Sequence, residues 1–382
     1  MVGDDRAGTM PSAGAASAPM LPDYGGGCLN SVVPGLLARG RGARPRWCSE
    51  AVDQATQVVL LVVDGLGWQQ LQDRPALAPT LAGGAGGPIT SVVPTTTATA
   101  LTSLATGLTP AEHGVLGYRL RFGDDILNVL RWSSERGDMR MKLPVPTVQP
   151  TPAFRGMAVP AVSRADFMAT GFTAAHLGGS ELVGWSVPSS MVVEVRRLLG
   201  EGHGLVYAYY DGVDKVAHQY GLGAHYEQEL RFVDTLVGDL VGVLPAGGAL
   251  VVTADHGQVD VGDAVRLPSS KLLGAVELLS GEGRFRWLHA RRGAAADVEA
   301  VARAEHGDEA WVMTFEQLLD EGWFGGPLAP GFASRLGDVA LVARAPVAFL
   351  DPADTGETRL ASRHGSLTEA EMLVPLLAWA AC

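Results

Sequence analysis

Three long apolar runs along the chain each end in an acidic residue. The runs QVVLLVVDG, LVYAYYDG and ALVVTADHG lack the polar alternation of a half-exposed strand and contain many β-branched or aromatic residues. This pattern is typical of strands that are buried on both faces of a sheet. Segments with helical periodicity, notably AHYEQELRFVDTLVGDLVGVL, lie between the runs, and TEAEMLVPLLAWAA is predicted to be a last helix. The alternation predicts an α/β fold, with a mostly parallel sheet sandwiched by helices.

Two stretches of the chain interrupt this alternation. Residues 261–356 contain RFRWLHARRG, the Ala-rich helical segment AAADVEAVARAEHG, EAWVMTF and GDVALVARAPVAFLD. We interpret them as an inserted α+β subdomain with a small sheet of its own, which could act as a lid. Residues 118–160 are predicted to form loops over one edge of the main sheet. The predicted division is an N-terminal tail and peripheral helix at 1–50, a catalytic core at 51–260 and 357–382, and the insert between its two parts.

Charge and composition narrow the function classes. The 382 residues carry a formal net charge of -12, which argues against binding to nucleic acid or to an anionic membrane surface. The sequence contains no apolar run long enough to span a membrane, and its N-terminus lacks the basic and apolar regions of a signal peptide, so a cytoplasmic location is expected. The first two dozen residues, rich in Ala, Gly, Ser and Pro, are predicted to be disordered. Three cysteines without C-x-x-C spacing indicate reduced thiols.

Acidic residues and histidines cluster at the predicted strand ends. In an open α/β sheet, ligands bind at the carboxyl ends of the strands, so these side chains are expected to converge. A single carboxylate after a strand is more often a helix cap or a turn residue, but the set together indicates a site. Three aspartates and three histidines are suited to Zn²⁺ and tolerable for Mn²⁺, and two ions are needed to use all six. The candidate ligands are Asp64, Asp214, His218, Asp255, His256 and His364.

Five motifs occur in the order VVDGLG, VPTTTATALTSLATGLTPAEHG, YYDGVDKVAHQYG, TADHG and RHG. With these motifs the chain resembles the alkaline phosphatase superfamily, and most closely its nucleotide pyrophosphatase/phosphodiesterase family. The resemblance implies the alkaline-phosphatase-like fold. The family's second motif is approximately P-x-x-T-x-P-N-x-x-x-x-x-T-G-x-x-P-x-x-H-G, and its first Thr is the nucleophile. With Pro94 setting the register, Thr97 takes the nucleophile position. The further matches are Thr106-Gly107, Pro110 and His113-Gly114.

The resemblance also implies how two ions would be held. Asp64, Asp255, His256 and the Thr97 hydroxyl oxygen would bind one ion, and Asp214, His218 and His364 would bind the other. Two divalent ions against three carboxylates leave the site net positive, which explains how an acidic protein could attract phosphate. Thr97 is predicted to lie at the start of a helix over 98–105, where free N–H groups suit a phosphoryl oxygen. Metal coordination would favour the Thr97 alkoxide, and its attack on phosphorus would give a covalent threonine intermediate.

The substrate remains open because the second motif departs from the family pattern. The family's Asn three residues after the nucleophile is Ala100 here, so a side-chain donor is missing. We expect the backbone N–H of Ala98 or the hydroxyl of Thr99 to bind the substrate instead. No Arg lies near Thr97 in the sequence, which favours small-molecule phosphodiesters or nucleotide pyrophosphates. The alternatives are a phosphomonoesterase or phosphonate hydrolase of the same superfamily and, with less support, a metal-binding protein without activity.

Several other residues have ordinary structural explanations. Asp211 could orient His218 or could be a turn residue, and His113 is expected to be structural. The remaining histidines are predicted to lie at the surface or at helix caps: His176, His203, His225, His289 and His306. The aromatic side chains of the covering segments could stack on a base, although core packing is the simpler explanation: Tyr118, Trp132 and Trp185.

Overall fold

The structure of the protein is a computed structural model that describes residues 18–354 and 359–381. Residues 1–17, where most of the predicted disorder falls, lie outside the described part. The helices, α1 to α15, are Leu29–Ala38, Glu50–Asp53, Trp68–Gln72, Pro79–Ala82, Thr97–Thr106, Pro110–His113, Val145–Val148, Gly171–His176, Pro188–Gly200, Gly212–Tyr220, Ala224–Val241, Ser270–Ala275, Ala295–His306, Phe315–Asp320 and Glu369–Met372. The strands, β1 to β19, are Gln57–Val63, Ala85–Thr90, Arg119–Phe122, Asp125–Asn128, Ser133–Ser134, Gly137–Asp138, Pro160–Arg164, Glu181–Trp185, Leu205–Tyr210, Gly248–Thr253, Val259–Asp260, Val265–Arg266, Val276–Glu282, Phe285–Ala290, Ala310–Thr314, Val339–Ala343, Ala348–Phe349, Ser362–Arg363 and Leu373–Ala380.

The main sheet has seven strands in the order β2-β19-β10-β1-β9-β7-β8. The five strands from β10 to β8 are parallel, whereas β19 and β2 pair antiparallel at one edge. The three apolar runs of the sequence form the neighbouring strands β10, β1 and β9, and each is buried along nearly its whole length. The predicted mostly parallel α/β sheet is therefore confirmed. The acidic residues that follow these three central strands lie together at the carboxyl ends of the strands.

The predicted last helix is wrong. Only Glu369–Met372 is helical, and Leu373–Ala380 forms β19 between β10 and β2. A continuous apolar run cannot be assigned to a buried helix or a buried strand by its periodicity alone. Pro375 was the signal against a helix, because proline in a helix interior removes a backbone donor and clashes with the preceding turn.

A second, four-stranded sheet lies within the predicted insert. Its antiparallel order is β13-β14-β16-β15. One face, which includes Phe285 and Trp287, packs into the main hydrophobic core, and the other, which includes Leu288 and Leu341, belongs to a separate core that α13 covers. This sheet therefore shares apolar contacts with the main sheet. The boundaries at 261 and 356 stay a prediction.

The stretch 118–160 is more regular than predicted. It contains the small antiparallel sheet β3-β4-β5-β6 instead of loops alone. The segment RLRF alternates polar and apolar residues, and this alternation is a strand signal that the interpretation missed. Leu120 of β3 and Leu127 of β4 are fully buried. Among the described residues, no helix combines the length and the apolar character needed to cross a membrane.

Candidate active site

Tight backbone contacts bring the ends of β1, β9 and β10 together. The Asp64 N–H donates to the Tyr210 carbonyl at 2.9 Å, and the Asp214 N–H donates to the Asp64 carbonyl at 3.1 Å. The Gly65 N–H donates to Asp255 Oδ1 at 3.1 Å. Gly65 has a positive φ of 75°, and a Cβ there would lie 2.9 Å from the Asp214 Cα, so the close approach of these segments requires glycine.

The first group of polar side chains is almost completely buried. His256 Nε2 lies 3.5 Å from Asp64 Oδ1 and 3.3 Å from Asp255 Oδ2. The same nitrogen is 3.1 Å from the Thr97 hydroxyl oxygen, although 159 residues separate Thr97 from His256 in the sequence. The structure thus places the predicted nucleophile beside three of the predicted metal ligands.

The second group lies directly next to the first. His218 Nε2 is 3.2 Å and His364 Nε2 is 3.8 Å from Asp214 Oδ1. The rings of His256 and His364 stack with a centroid distance of 3.5 Å. Donor atoms of Asp214, His218 and His364 lie close enough to share an ion, and so do those of Asp64, Asp214 and His256. Asp214 therefore belongs to both clusters.

All three histidines are held through the same ring nitrogen. Their Nδ1 atoms face the backbone carbonyls of Ser362, Gly257 and Thr95 at 2.7, 3.0 and 2.9 Å. A carbonyl oxygen only accepts, so each Nδ1 carries the proton and each Nε2 is left with a lone pair facing the aspartates. Carbonyl-held imidazoles of this kind are the usual arrangement of metal-ligating histidines.

The buried carboxylates of the site repel one another, and some of their oxygens lack hydrogen-bond donors in the described part of the chain, so a cation would stabilise them. Burial, followed by the charges of Asp255 and Asp214, raises the pKa of the Asp64 carboxyl well above its ordinary value. Asp64 Oδ1 and Asp255 Oδ2 are buried and have no hydrogen-bond partner among the described residues. Burial, together with the neighbouring His256 and His218, also lowers the pKa of His364 well below its ordinary value. Buried carboxylate oxygens without donors, facing imidazole lone pairs, form a potential metal-binding cluster.

The Thr-rich segment forms the buried helix α5, which begins at Thr97. Its interior threonines are not exposed to solvent, and the hydroxyls of Thr102 and Thr106 donate to the carbonyls four residues earlier at 2.7 and 2.6 Å. Thr97 differs because it lies in the first turn, where helix N–H groups lack intrahelical acceptors, and because it faces the aspartates and histidines. Of the threonines of α5, Thr97 is the one whose hydroxyl lies beside His256.

Two cavities open from Thr97. The larger, of about 620 Å³, also reaches Asp64 and Asp214 and has an apolar wall that includes Leu101, Phe167 and Phe172. The smaller, of about 260 Å³, reaches Thr96, Asp214, His218 and His364. The cations at these cavities were missed in the sequence because they lie far from Thr97 along the chain: Arg131 and Arg363 at the smaller cavity, and Arg131, Arg140 and Lys215 at the larger one.

Other residues considered in the sequence lie outside the two clusters of aspartates and histidines. Ala98 and Thr99 are fully buried and do not belong to the described residues that line these two cavities. Asp211 forms ion pairs with Lys215 and Arg164. His113 is buried, and its Nε2 lies 2.8 Å from the Ser103 hydroxyl.

Three histidines predicted to lie at the surface or at caps are buried instead: His176, His289 and His306. His176 lines the larger cavity, and burial lowers its pKa to about 4. Trp132 and Trp185 are buried in the core, whereas Tyr118 is half-buried at the smaller cavity. The core packing expected for Trp132 and Trp185 is thus observed, whereas single histidines carry no periodic signal by which the sequence could place them.

The family model described as type I phosphodiesterase / nucleotide pyrophosphatase matches residues 58–367. The chain belongs to this family. It is therefore an enzyme of the phosphoric ester hydrolases, and the motifs that predicted the family extend through the matched region. A search of the curated proteins finds no match.

Solved structures show the same fold at low sequence identity. Murine ectonucleotide pyrophosphatase/phosphodiesterase 5 is similar with a TM-score of 0.64 and 16% identity, over 85% of this chain and 88% of that chain. The same murine protein has been solved as an inactive threonine-to-alanine variant in complex with AMP. Phosphonoacetate hydrolase from Sinorhizobium meliloti, in complex with phosphonoformate, has a TM-score of 0.62 and 19% identity, over 85% of this chain and 90% of that chain.

Proposed function

We propose that this enzyme hydrolyses phosphodiester or nucleotide pyrophosphate bonds with the help of two divalent metal ions and through a covalent intermediate on Thr97. The observation that supports it most directly is the position of the Thr97 hydroxyl, 3.1 Å from His256 Nε2 at the first turn of α5. The family assignment and the fold agree with this chemistry. The complex of the murine protein's inactive threonine variant with AMP is consistent with a nucleotide substrate here.

The residues present fit a pair of metal ions. We assign Asp64, Asp255, His256 and the Thr97 hydroxyl oxygen to one ion. Asp214, His218 and His364 would hold the other. Two buried carboxylate oxygens without a donor and three imidazoles held through Nδ1 support this assignment. A mixed set of carboxylate and imidazole ligands favours Zn²⁺ over Mn²⁺.

In the reaction, Thr97 Oγ forms a bond to phosphorus while the bond from phosphorus to the leaving-group oxygen breaks, and that oxygen departs with the bonding electron pair. A water oxygen then forms a bond to phosphorus while the bond from phosphorus to Thr97 Oγ breaks, and Thr97 Oγ leaves with that electron pair and takes up a proton from the water. When bound, the ions would favour deprotonation of both nucleophiles and neutralise charge on the phosphoryl oxygens. His256 Nε2 accepts the hydrogen bond of the Thr97 hydroxyl and so fixes the direction of the nucleophile. Two displacements predict retention of configuration at phosphorus.

A phosphonate hydrolase or phosphomonoesterase is the second candidate. It is favoured by the similarity of the fold to phosphonoacetate hydrolase and by the arginines at the cavities beside Thr97. These cations weaken the preference for diesters that the sequence suggested. Metal-assisted attack by Thr97 would be common to both candidates, so the bond that is broken is the property that separates them.

The test compares kcat/KM of the zinc-loaded enzyme on bis-p-nitrophenyl phosphate, p-nitrophenyl phosphate and phosphonoacetate. Thr97→Ala is expected to lose at least about 1000-fold on the preferred substrate, because nucleophilic catalysis is removed. Thr102→Ala, the same substitution five residues further along α5, is the control and is expected to stay within about threefold, because the Thr102 hydroxyl only bonds to the helix backbone.

The metal content of the same preparations is measured by elemental analysis. Two ions per chain are expected in the wild type. Full activity in Thr97→Ala would contradict the role of Thr97. A preference for p-nitrophenyl phosphate or phosphonoacetate would select the second candidate.

A further inference from the structure

Arg131 lies beside the proposed nucleophile but has no role in the proposed reaction. It lines both cavities that open from Thr97, the larger one with the apolar wall and the smaller one with His218 and His364. Its side chain is exposed. Arg131 therefore belongs, like Thr97, to the wall that the two cavities share.

The other two cations of the larger cavity are already matched by carboxylates. Lys215 forms an ion pair with Asp211 one helical turn earlier. The Arg140 Nε donates to Asp138 Oδ2 at 2.8 Å. Within residues 18–354 and 359–381, no carboxylate forms an ion pair with Arg131. Its charge is therefore the one in this cavity that a bound anion could satisfy without breaking an internal ion pair.

The backbone beneath Arg131 is held in place. The Arg131 N–H donates to Asn128 Oδ1 at 3.0 Å. The next residue, Trp132, is fully buried, and its ring N–H donates to the Leu143 carbonyl at 2.8 Å. Ordering the side chain on a ligand thus costs side-chain entropy without a rearrangement of the backbone.

We propose that Arg131 binds a second phosphate of the substrate, next to the phosphorus atom attacked by Thr97, and thereby selects diphosphate esters over simple phosphodiesters. This inference rests on the proposed function. The planar guanidinium can donate two parallel hydrogen bonds to the oxygens of one phosphate. A simple phosphodiester has no phosphate other than the one that reacts, so it offers no such partner. A cavity of about 620 Å³ with an apolar wall leaves room for the organic part of such an ester.

The experiment compares kcat/KM on ADP-ribose, a diphosphate diester, with kcat/KM on bis-p-nitrophenyl phosphate, which has one phosphate. In zinc-loaded Arg131→Met, activity on ADP-ribose is expected to fall at least about tenfold further than activity on bis-p-nitrophenyl phosphate, the size expected for a lost charge-assisted hydrogen bond. Arg131→Lys is expected to recover part of the difference, because it restores the charge but not the two-pronged geometry.

Arg136→Met is the matched control. Arg136 lies on the same segment, is exposed and is paired with Asp125, outside both cavities. Its ratio of the two activities is expected to equal that of the wild type. A second measurement is the Kd of ADP-ribose for zinc-loaded Thr97→Ala by calorimetry, which is expected to rise at least about tenfold when Arg131→Met is added.

The outcomes separate the two proposals. An active wild-type enzyme in which Arg131→Met lowers both activities equally, or neither, overturns the role of Arg131 and leaves the proposed function standing. Phosphonoacetate is measured as a third substrate, and a selective loss on it instead of ADP-ribose overturns the assignment to a second phosphate, because the bound anion is then a carboxylate. A wild-type enzyme inactive on every ester overturns the proposed function and this inference with it.

Discussion

Two sets of buried charged side chains in this molecule have opposite surroundings. At the edge of the main sheet, Asp64 and Asp255 are buried with oxygens that no described residue satisfies. Behind them, the ion pair of Arg284 and Glu371 is fully buried, with two guanidinium contacts to the carboxylate at 2.7 Å. Glu371 also accepts from the Ser366 N–H at 2.9 Å.

The difference distinguishes a site from a structural contact. Arg284 is further satisfied by the carbonyls of Ala345 and Val347, both at 2.9 Å, so the ion pair is complete within the protein. The aspartates are incomplete, and burial of an uncompensated carboxylate costs free energy that a bound cation or a proton could recover. Burial alone therefore does not indicate a functional charge, whereas buried carboxylate oxygens without partners have the property expected of metal ligands.

The largest effect is expected from Asp64→Asn. Activity is expected to fall at least about 1000-fold, because an amide is a poor ligand for a divalent ion. In the presence of a chelator, the same variant is expected to have a higher melting temperature than the wild type, since it removes a buried charge that repels its neighbours.

Activity assays and thermal unfolding in a chelator measure the two effects of Asp64→Asn. Asp239→Asn, at an exposed position of α11, is the control for the change of charge. If Asp64→Asn in the chelator melts at a lower temperature than the wild type, the buried aspartates do not destabilise the protein. The difference drawn between them and the Arg284–Glu371 ion pair would then be contradicted.

A smaller effect is expected from Arg284→Met. The free energy of unfolding is expected to fall by about 3–5 kcal/mol, because Glu371 is left buried without its counter-charge. Urea denaturation measures this loss. Adding Glu371→Gln is expected to restore part of the stability, since the second change removes the unmatched charge. A loss below about 1 kcal/mol for Arg284→Met alone would contradict the distinction drawn between the two sets of charges.

The smallest effect is expected from His113, a buried group without any counter-charge. Burial, followed by the charge of Arg335, lowers its pKa from 6.5 to about 3 in the folded protein. The stability that this histidine contributes is complete above the unfolded pKa of 6.5 and is lost as the pH falls toward 3. The slope is at most about 1.4 kcal/mol per pH unit for one group.

Urea denaturation at several pH values between neutral and mildly acidic tests this expectation. His113→Gln is expected to lose less stability on acidification than the wild type, by about 1–2 kcal/mol over the first one and a half pH units below the unfolded pKa. Parallel curves for the two proteins would mean that the folded state accepts a proton on His113 without cost.

The features that could be predicted from the sequence are those that a short run of consecutive residues encodes. The buried runs predicted β1, β9 and β10, and their acidic ends predicted a cluster that the structure brings together at Asp64, Asp214 and Asp255. The five ordered motifs predicted the family, which the family model confirms. The ligand roles and the role of Thr97 stay predictions.

Contacts between distant segments could not be predicted in the same way. Arg131 reaches the cavities of Thr97 only because the segment after β4 folds over them. The strand Leu373–Ala380 was misassigned because a doubly buried strand and a buried helix have the same apolar composition.

The position of β19 has a consequence for synthesis on the ribosome. The neighbour of β2 in the main sheet is β19, although most of the chain separates Ala85–Thr90 from Leu373–Ala380. While the intervening residues are being translated, β2 exposes a strand edge that could pair with other nascent chains. Such non-local pairing is slow to form, and β19 then covers one side of β2, which stays the outermost strand of the sheet.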